Sequence, residues 1–191
     1  MRNAGDWKAL LRFLGVILMA EGGLMGLCVV PAIHFADGTL WHIVACSAAT
    51  LSVGGGLYYA FRNELEIKDR RMSYLLVTVL WLTLSAFATL PFLATGSTRS
   101  LTAAWFEAMS GVTSCGATVF ADVASLPASV LLWRSMTQWF GGFGVVLLVL
   151  ALTPRLGINK YSLYTAEASG ADNTGKTSVR TTVTVRRTLA V

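Results

Sequence analysis

Charge is what this sequence has least of. Asp, Glu, Lys and Arg together make up 13% of its 191 residues, about half the usual share of a globular protein. A freely dispersed surface needs roughly 25% charged side chains or more, so a soluble domain is excluded. Cysteine is scarce as well: three residues cannot build a disulfide framework. His34 and His42 lack the companions that a metal site requires. No nucleophile–base pair is visible either, so the sequence does not support an enzyme. Disorder is excluded from the other direction, because 54% of the residues are hydrophobic.

The apolar residues fall into four long runs, residues 11–31, 40–61, 72–93 and 130–152. The first holds Arg12 at its edge and Glu21 inside, the last holds Arg134, and the other two carry no formal charge. As helices, runs of this length extend roughly 32–35 Å, enough to cross the ~30 Å hydrocarbon layer of a bilayer with modest tilt. None shows the polar stripe of a helix on a soluble core. The first run also exceeds the apolar segment of a signal peptide and reads as a span.

Basic residues then orient the chain. Arg2, Lys8 and Arg12 precede the first span, and Arg62, Lys68, Arg70 and Arg71 lie between the second and third. Arg155, Lys160, Lys176, Arg180, Arg186 and Arg187 follow the fourth. Outside Arg134, the opposite side has only Arg99. Positive-inside bias places both termini in the cytoplasm. The net charge of +5 is therefore a topology signal, and nucleic acid is not implied as a partner.

The outer segment, residues 94–129, holds something more than a connection. Residues 100–111 read as a short amphipathic helix, with Leu101, Ala104, Trp105, Ala108 and Met109 at helical spacing and Ser100 as its cap. Such a helix covers roughly 18 Å, about half a bilayer. The small residues Thr113, Ser114, Cys115, Gly116, Ala117 and Thr118 come next. Two readings stand side by side: a re-entrant pore loop, or an extracellular loop with a surface helix. Exposed backbone at membrane depth is tolerated only where protein buries it or where it lines a water-filled cavity.

In the first reading the loop has a chemistry. A dehydrated cation needs oxygen ligands, and backbone carbonyls provide them without a full negative charge in the pore. Gly116 can take positive φ at no steric cost, and Thr113, Ser114 and Cys115 would supply carbonyls just before it. A single loop cannot surround an ion; a ring of about four is needed.

The segment Trp105-Phe106-Glu107-Ala108-Met109-Ser110-Gly111 followed by Val112-Thr113-Ser114-Cys115-Gly116-Ala117-Thr118 resembles the first pore helix and filter of the TrkH/KtrB potassium-uptake family. The resemblance continues through Ser125-Leu126-Pro127, Leu132-Trp133-Arg134-Ser135, Gln138-Trp139-Phe140-Gly141-Gly142-Phe143-Gly144, Leu156-Gly157 and Ala166-Glu167. It implies an all-α integral membrane protein: four transmembrane helices with one re-entrant pore helix and filter loop, the first helix–pore loop–helix repeat of a pseudo-fourfold channel. Residues 1–71 would form a leading helix pair, 72–157 the first repeat, and 158–191 a cytoplasmic linker toward a second repeat. The chain is then expected to be the N-terminal portion of a larger pore, giving the first of four filter loops.

The resemblance further implies that potassium is the substrate, bound by the carbonyls of Thr113, Ser114, Cys115 and Gly116. Ala117, Thr118 and Glu107 would support the filter, and Gly141, Gly142 and Gly144 would serve inner-helix packing or gating. No cofactor is expected in this chain. The implied partners are the lipid bilayer, the remaining repeats, a second copy in a homodimer, and a cytoplasmic nucleotide-binding regulatory subunit of the TrkA/KtrA type. The implied location is a bacterial plasma (inner) membrane. Cys115 is a departure, because threonine is common there in the family. The competing function is a non-transporting membrane subunit that docks a cytoplasmic partner through its basic tail.

Other residues have plainer readings. Glu21, flanked by Gly22, Gly23 and Gly26, is expected against a polar neighbour in the bundle. Arg134 is expected to snorkel or to pair with Asp122 or Glu107. Cys28, Cys46 and Cys115 are expected as buried thiols. Residues 170–177 spell the phosphate-loop pattern G-x4-G-K-T, but no buried strand precedes them and the match reads as coincidence.

Overall fold

Helices account for all the regular structure in a computed structural model of the chain, which describes residues 4–63 and 70–152. The order is α1 (Ala4–Leu27), α2 (Val29–His34), α3 (Leu40–Ala60), α4 (Arg70–Ala94), α5 (Leu101–Val112) and α6 (Ala128–Leu152). Three segments, Gly5–His34, Leu40–Ala60 and Leu75–Ala94, are helices long and apolar enough to cross a membrane. The fourth expected run coincides with α6, whose side chains from residue 145 onward lie outside the described residues. The chain divides into two compact units, Met1–Val145 and Val146–Val191. The structural detail below belongs to the first; of the second, only residues 146–152 of α6 are described.

The first span is longer than expected and is broken once. Pro31 has no N–H to donate to the carbonyl of Leu27, so the helical ladder cannot run through unbroken. The chain tightens instead: the Cys28 amide bonds the Met25 carbonyl at 3.0 Å, and α2 restarts at Val29. Proline is tolerated in the first turn of the new helix, so the apolar segment continues past Pro31 to His34.

Helices α1 and α3 cross closely because glycine faces glycine. A Cβ on Gly15 would stand 2.7 Å from the Gly54 carbonyl, and one on Gly54 would stand 2.8 Å from the Met19 amide. Small residues are the usual means by which membrane helices approach this closely. Ser47 adds a cross-helix bond, its Oγ donating to the Gly22 carbonyl at 2.7 Å. At the two ends of α3 stand Trp41, 78% exposed, and Tyr59, 69% exposed. They lie roughly 27 Å apart along the helix axis, the spacing of two aromatic belts at membrane interfaces. Arg12 lies over the Tyr58 ring, 5.7 Å from its centroid.

The main core joins α4, α5 and α6 to α1 and α3. It includes Met25, Ile43, Leu84, Ala88, Phe92, Ala104, Ala108, Val112, Val130 and Trp133. Trp133 is its largest fully buried side chain, and its indole N–H donates to the Ala88 carbonyl at 3.0 Å. A buried indole without that acceptor would leave an unpaired donor in an apolar setting. Glu21 is buried too, and its Oε2 has no hydrogen-bond partner among the described residues. Its neighbour Gly22 packs against Leu51, which is not polar.

Candidate functional site

Helix α5 begins at its cap. Ser100 has extended backbone, φ −93° and ψ 121°, and its Oγ accepts from the Ala103 amide at 3.4 Å. The buried face holds Ala104, Glu107, Ala108, Ser110, Gly111 and Val112. Leu101, expected on the apolar face, is instead 64% exposed. Small residues dominate the buried face near the helix end, and α6 comes very close there. A Cβ on Gly111 would collide with Thr137, and one on Gly141 would collide with the Val112 carbonyl.

The chain leaves α5 in a tight, non-helical course. Its amides turn back onto the helix end: Thr113 N bonds Met109 O at 2.9 Å and Ser114 N bonds Gly111 O at 2.8 Å. Cys115 N and Gly116 N both reach Ser110 O, at 2.9 and 3.3 Å. In a trans peptide the carbonyl of one residue points opposite to the amide of the next, and no bond here is cis. The carbonyls of Thr113, Ser114 and Cys115 are therefore turned away from α5. All residues from 113 to 119 are exposed.

Two left-handed residues make this course possible. Gly116 has φ 76° and Ser114 has φ 57°. The first is the ordinary use of glycine. The second is not legible in sequence, since a serine in this region is uncommon and strained. Its side chain is held in exchange: Ser114 Oγ donates to the Gln138 carbonyl of α6 at 3.0 Å.

Glu107 ties the far side of the loop. Its Oε1 accepts from the Thr118 hydroxyl and from the Val119 amide at 2.6 Å, and its Oε2 accepts from Arg134 Nε at 3.3 Å. Glu107 is 1% exposed. A buried carboxylate with three donors, one of them cationic, is satisfied; removing the cationic partner would cost about 3–5 kcal/mol. Arg134 thus pairs with Glu107. Asp122, its other expected partner, instead closes a local turn by accepting from the Ala124 amide at 3.0 Å. The second arm of Arg134 reaches the loop itself, Nη2 donating to the Gly116 carbonyl at 3.1 Å. Ser110 Oγ donates to the Ala117 carbonyl at 2.6 Å. Gly116 and Ala117 therefore have carbonyls bonded within the protein, whereas no donor among the described residues reaches the three turned outward.

The three glycines of α6 differ. Gly141 is pressed against α5, a Cβ on Gly142 would lie 3.3 Å from Ser114 Oγ, and nothing among the described residues lies within 4 Å of a Cβ on Gly144. Trp139, 61% exposed, stacks on Phe143 along α6 with centroids 6.0 Å apart. Cys28 and Cys46 are buried as expected, but Cys115 is exposed, because the loop turns its residues away from the core.

A separate cluster fixes the start of α6. Asp37, in the connection between α2 and α3, accepts from the Ser129 amide through Oδ2 at 3.1 Å. Its Oδ1 accepts from the Thr39 hydroxyl at 2.6 Å and amide at 3.1 Å. Burial opposes ionisation of Asp37, but these donors outweigh it and hold the carboxyl below its ordinary value of 3.8. Sequence reasoning passed over Asp37, whose contacts span 92 positions.

A family model described as TrkH, cation transport protein, matches residues 40–191. The chain belongs to the TrkH family. It is 33% identical to the Trk system potassium uptake protein TrkH of Halomonas elongata over 180 residues, 94% of this chain and 37% of that protein. Against the protein of the same name from Escherichia coli K12 the identity is 33% over 165 residues, covering 86% and 34%. The crystal structure of the potassium transporter TrkH from Vibrio parahaemolyticus superposes with a TM-score of 0.72 at 29% identity, covering 88% of this chain and 36% of that one. The chain thus spans about a third of the length of the TrkH relatives it matches. Membership of a family described as cation transport proteins, together with three apolar spans, makes it a multi-pass membrane protein.

Several sequence expectations fall on residues outside those described. They are the linker at 158–191, the basic residues Arg2, Lys68, Arg155, Lys160, Lys176, Arg180, Arg186 and Arg187, the matches at Leu156-Gly157 and Ala166-Glu167, and the G-x4-G-K-T pattern at 170–177.

Proposed function

We propose that this chain supplies the first of four filter loops of a potassium-uptake pore in a bacterial plasma (inner) membrane, with both termini in the cytoplasm. Helices α1 to α3 form the leading pair, and residues 72–157 form the first repeat. In that repeat α4 is the outer helix, α5 the pore helix, residues 113–116 the filter and α6 the inner helix. Potassium is the substrate, and no cofactor is needed in this chain.

One observation carries the reading: the amides of Ser114, Cys115 and Gly116 are spent on the end of α5, which turns the three preceding carbonyls outward together. Oriented carbonyls of this kind replace the water shell of a dehydrated cation. The negative end of the α5 dipole faces the same place and favours a cation there. Glu107, Ala117 and Thr118 hold the loop, Gly141 sets the α5–α6 contact, and Gly142 and Gly144 leave room for inner-helix packing or gating.

One loop makes a quarter of a ring, so the remaining repeats complete the pore. The names of the relatives, potassium uptake proteins, support potassium as the ion. A homodimer and a cytoplasmic nucleotide-binding regulatory subunit of the TrkA/KtrA type complete the assembly. The test replaces Gly116 with Leu in the full-length protein, which forces a branched side chain onto φ 76°. Loss of potassium-selective uptake at an unchanged membrane level is expected; undiminished selective uptake contradicts the proposal.

A further inference from the structure

Arg134 has one fork and two tasks. Nε binds the carboxylate of Glu107 at 3.3 Å, and Nη2 binds the carbonyl of Gly116 at 3.1 Å. The planar guanidinium holds both directions at once, which the single ammonium of lysine does not. The same carboxylate, on its other oxygen, fixes Thr118 and the Val119 amide. Loop residues 116, 118 and 119 are thereby tied through one ion pair to α5 and α6.

The bond to Gly116 changes what that carbonyl can do. Its neighbours at 113 to 115 face outward, whereas the Gly116 oxygen already accepts from a cation of the protein. A charge-assisted bond of this kind is stronger than a neutral one and competes directly with a passing cation. An unpaired guanidinium beside a cation path would also repel the ion. Glu107, buried against it, cancels that charge at close range.

We propose that Arg134 is a positioning residue for ion selectivity: it withdraws the Gly116 carbonyl from the ion, leaves Thr113, Ser114 and Cys115 as the ligands of this repeat, and depends on Glu107 to neutralise it. The inference rests on the filter reading above and narrows its ligand set from four carbonyls to three. Charge balance and positioning are separable roles, because a neutral pair preserves the first and destroys the second.

The experiment uses the full-length protein in a strain that needs it for potassium uptake, and measures uptake of potassium and sodium with the amount in the membrane. Arg134→Lys keeps the charge and loses the fork; potassium-over-sodium selectivity falls about tenfold, the scale of one lost charge-assisted bond. Glu107→Gln leaves the guanidinium unneutralised, and the rate of uptake falls. The double variant Glu107→Gln with Arg134→Gln recovers uptake but stays unselective. Ser135→Ala, whose hydroxyl bonds the Leu131 carbonyl of its own helix, leaves selectivity unchanged.

Wild-type selectivity in Arg134→Lys, or selectivity restored in the neutral double variant, overturns the proposal. Failure of Arg134→Lys and the double variant to accumulate in the membrane would make the pair a folding element and also overturn it. Gly116→Leu, run in parallel, separates the two levels. If it transports normally, the filter reading itself fails; if it is inactive while Arg134→Lys is fully selective, only the positioning role fails.

Discussion

Ser114 donates its hydroxyl to the carbonyl of Gln138, 24 residues later, and that bond accompanies a backbone φ of 57°. A non-glycine residue in the left-handed region costs about 1–2 kcal/mol, so the α6 contact offsets part of a strain that shapes the loop. Three substitutions separate the two effects. Ser114→Gly removes the strain and the bond together and stays within about 1 kcal/mol of wild type. Ser114→Ala keeps the strain without the bond and falls below Ser114→Gly. Ser114→Val, β-branched in a left-handed position, is the least stable. Thermal midpoints of the full-length protein in detergent check this order.

Gly141 and Gly144 lie three residues apart on one helix, yet only the first is packed. A methyl group at Gly141 meets the Val112 carbonyl, so Gly141→Ala forces α5 and α6 apart and costs about 1–3 kcal/mol. Gly144→Ala meets nothing within 4 Å among the described residues and stays within about 0.5 kcal/mol of wild type. The same thermal measurement applies. Equal effects at the two positions would contradict the close crossing.

Asp37 caps α6 from a distant loop. Its two carboxylate oxygens serve Ser129 and Thr39 separately, so Asp37→Asn loses one of them and places an amide donor against a backbone N–H. At neutral pH the loss is about 0.5–2 kcal/mol, the usual worth of a helix cap. Because the folded carboxyl titrates below its ordinary value of 3.8, its contribution is present above that value and is lost as pH falls through the folded one. The stability gap between wild type and Asp37→Asn should therefore close in acid. A gap that stays constant down to about pH 3 would contradict the assignment.

How much of this was legible in sequence depended on the range over which each feature is encoded. The three helices long and apolar enough to cross a membrane are encoded locally: about 20 consecutive apolar residues leave few alternatives. The cap at Ser100 is local as well. The break at Cys28 was missed because Pro31 ends the apolar run yet sits where a restarting helix accepts it. The partner of Arg134 was narrowed to two acids and no further, since only the folded chain shows Asp122 occupied by its own turn. Ser114 gave no signal at all, because nothing in a serine announces a left-handed backbone held by a helix 24 residues away.

Cys115 was expected to be buried and is exposed, with Cys28 and Cys46 buried. A membrane-impermeant thiol reagent should therefore label the first repeat of the full-length protein at Cys115 and spare the other two. Potassium should slow that labelling relative to sodium. Labelling unaffected by potassium would favour an ordinary surface loop.

The central claim is that the carbonyls of Thr113, Ser114 and Cys115 hold the transported ion. Anomalous scattering from rubidium, a potassium substitute, in crystals of the full-length protein tests it most directly. A peak within coordination distance of those three oxygens, with the Gly116 oxygen still bonded to Arg134, is the predicted result. Rubidium bound elsewhere, with these carbonyls facing only water or protein, would contradict it.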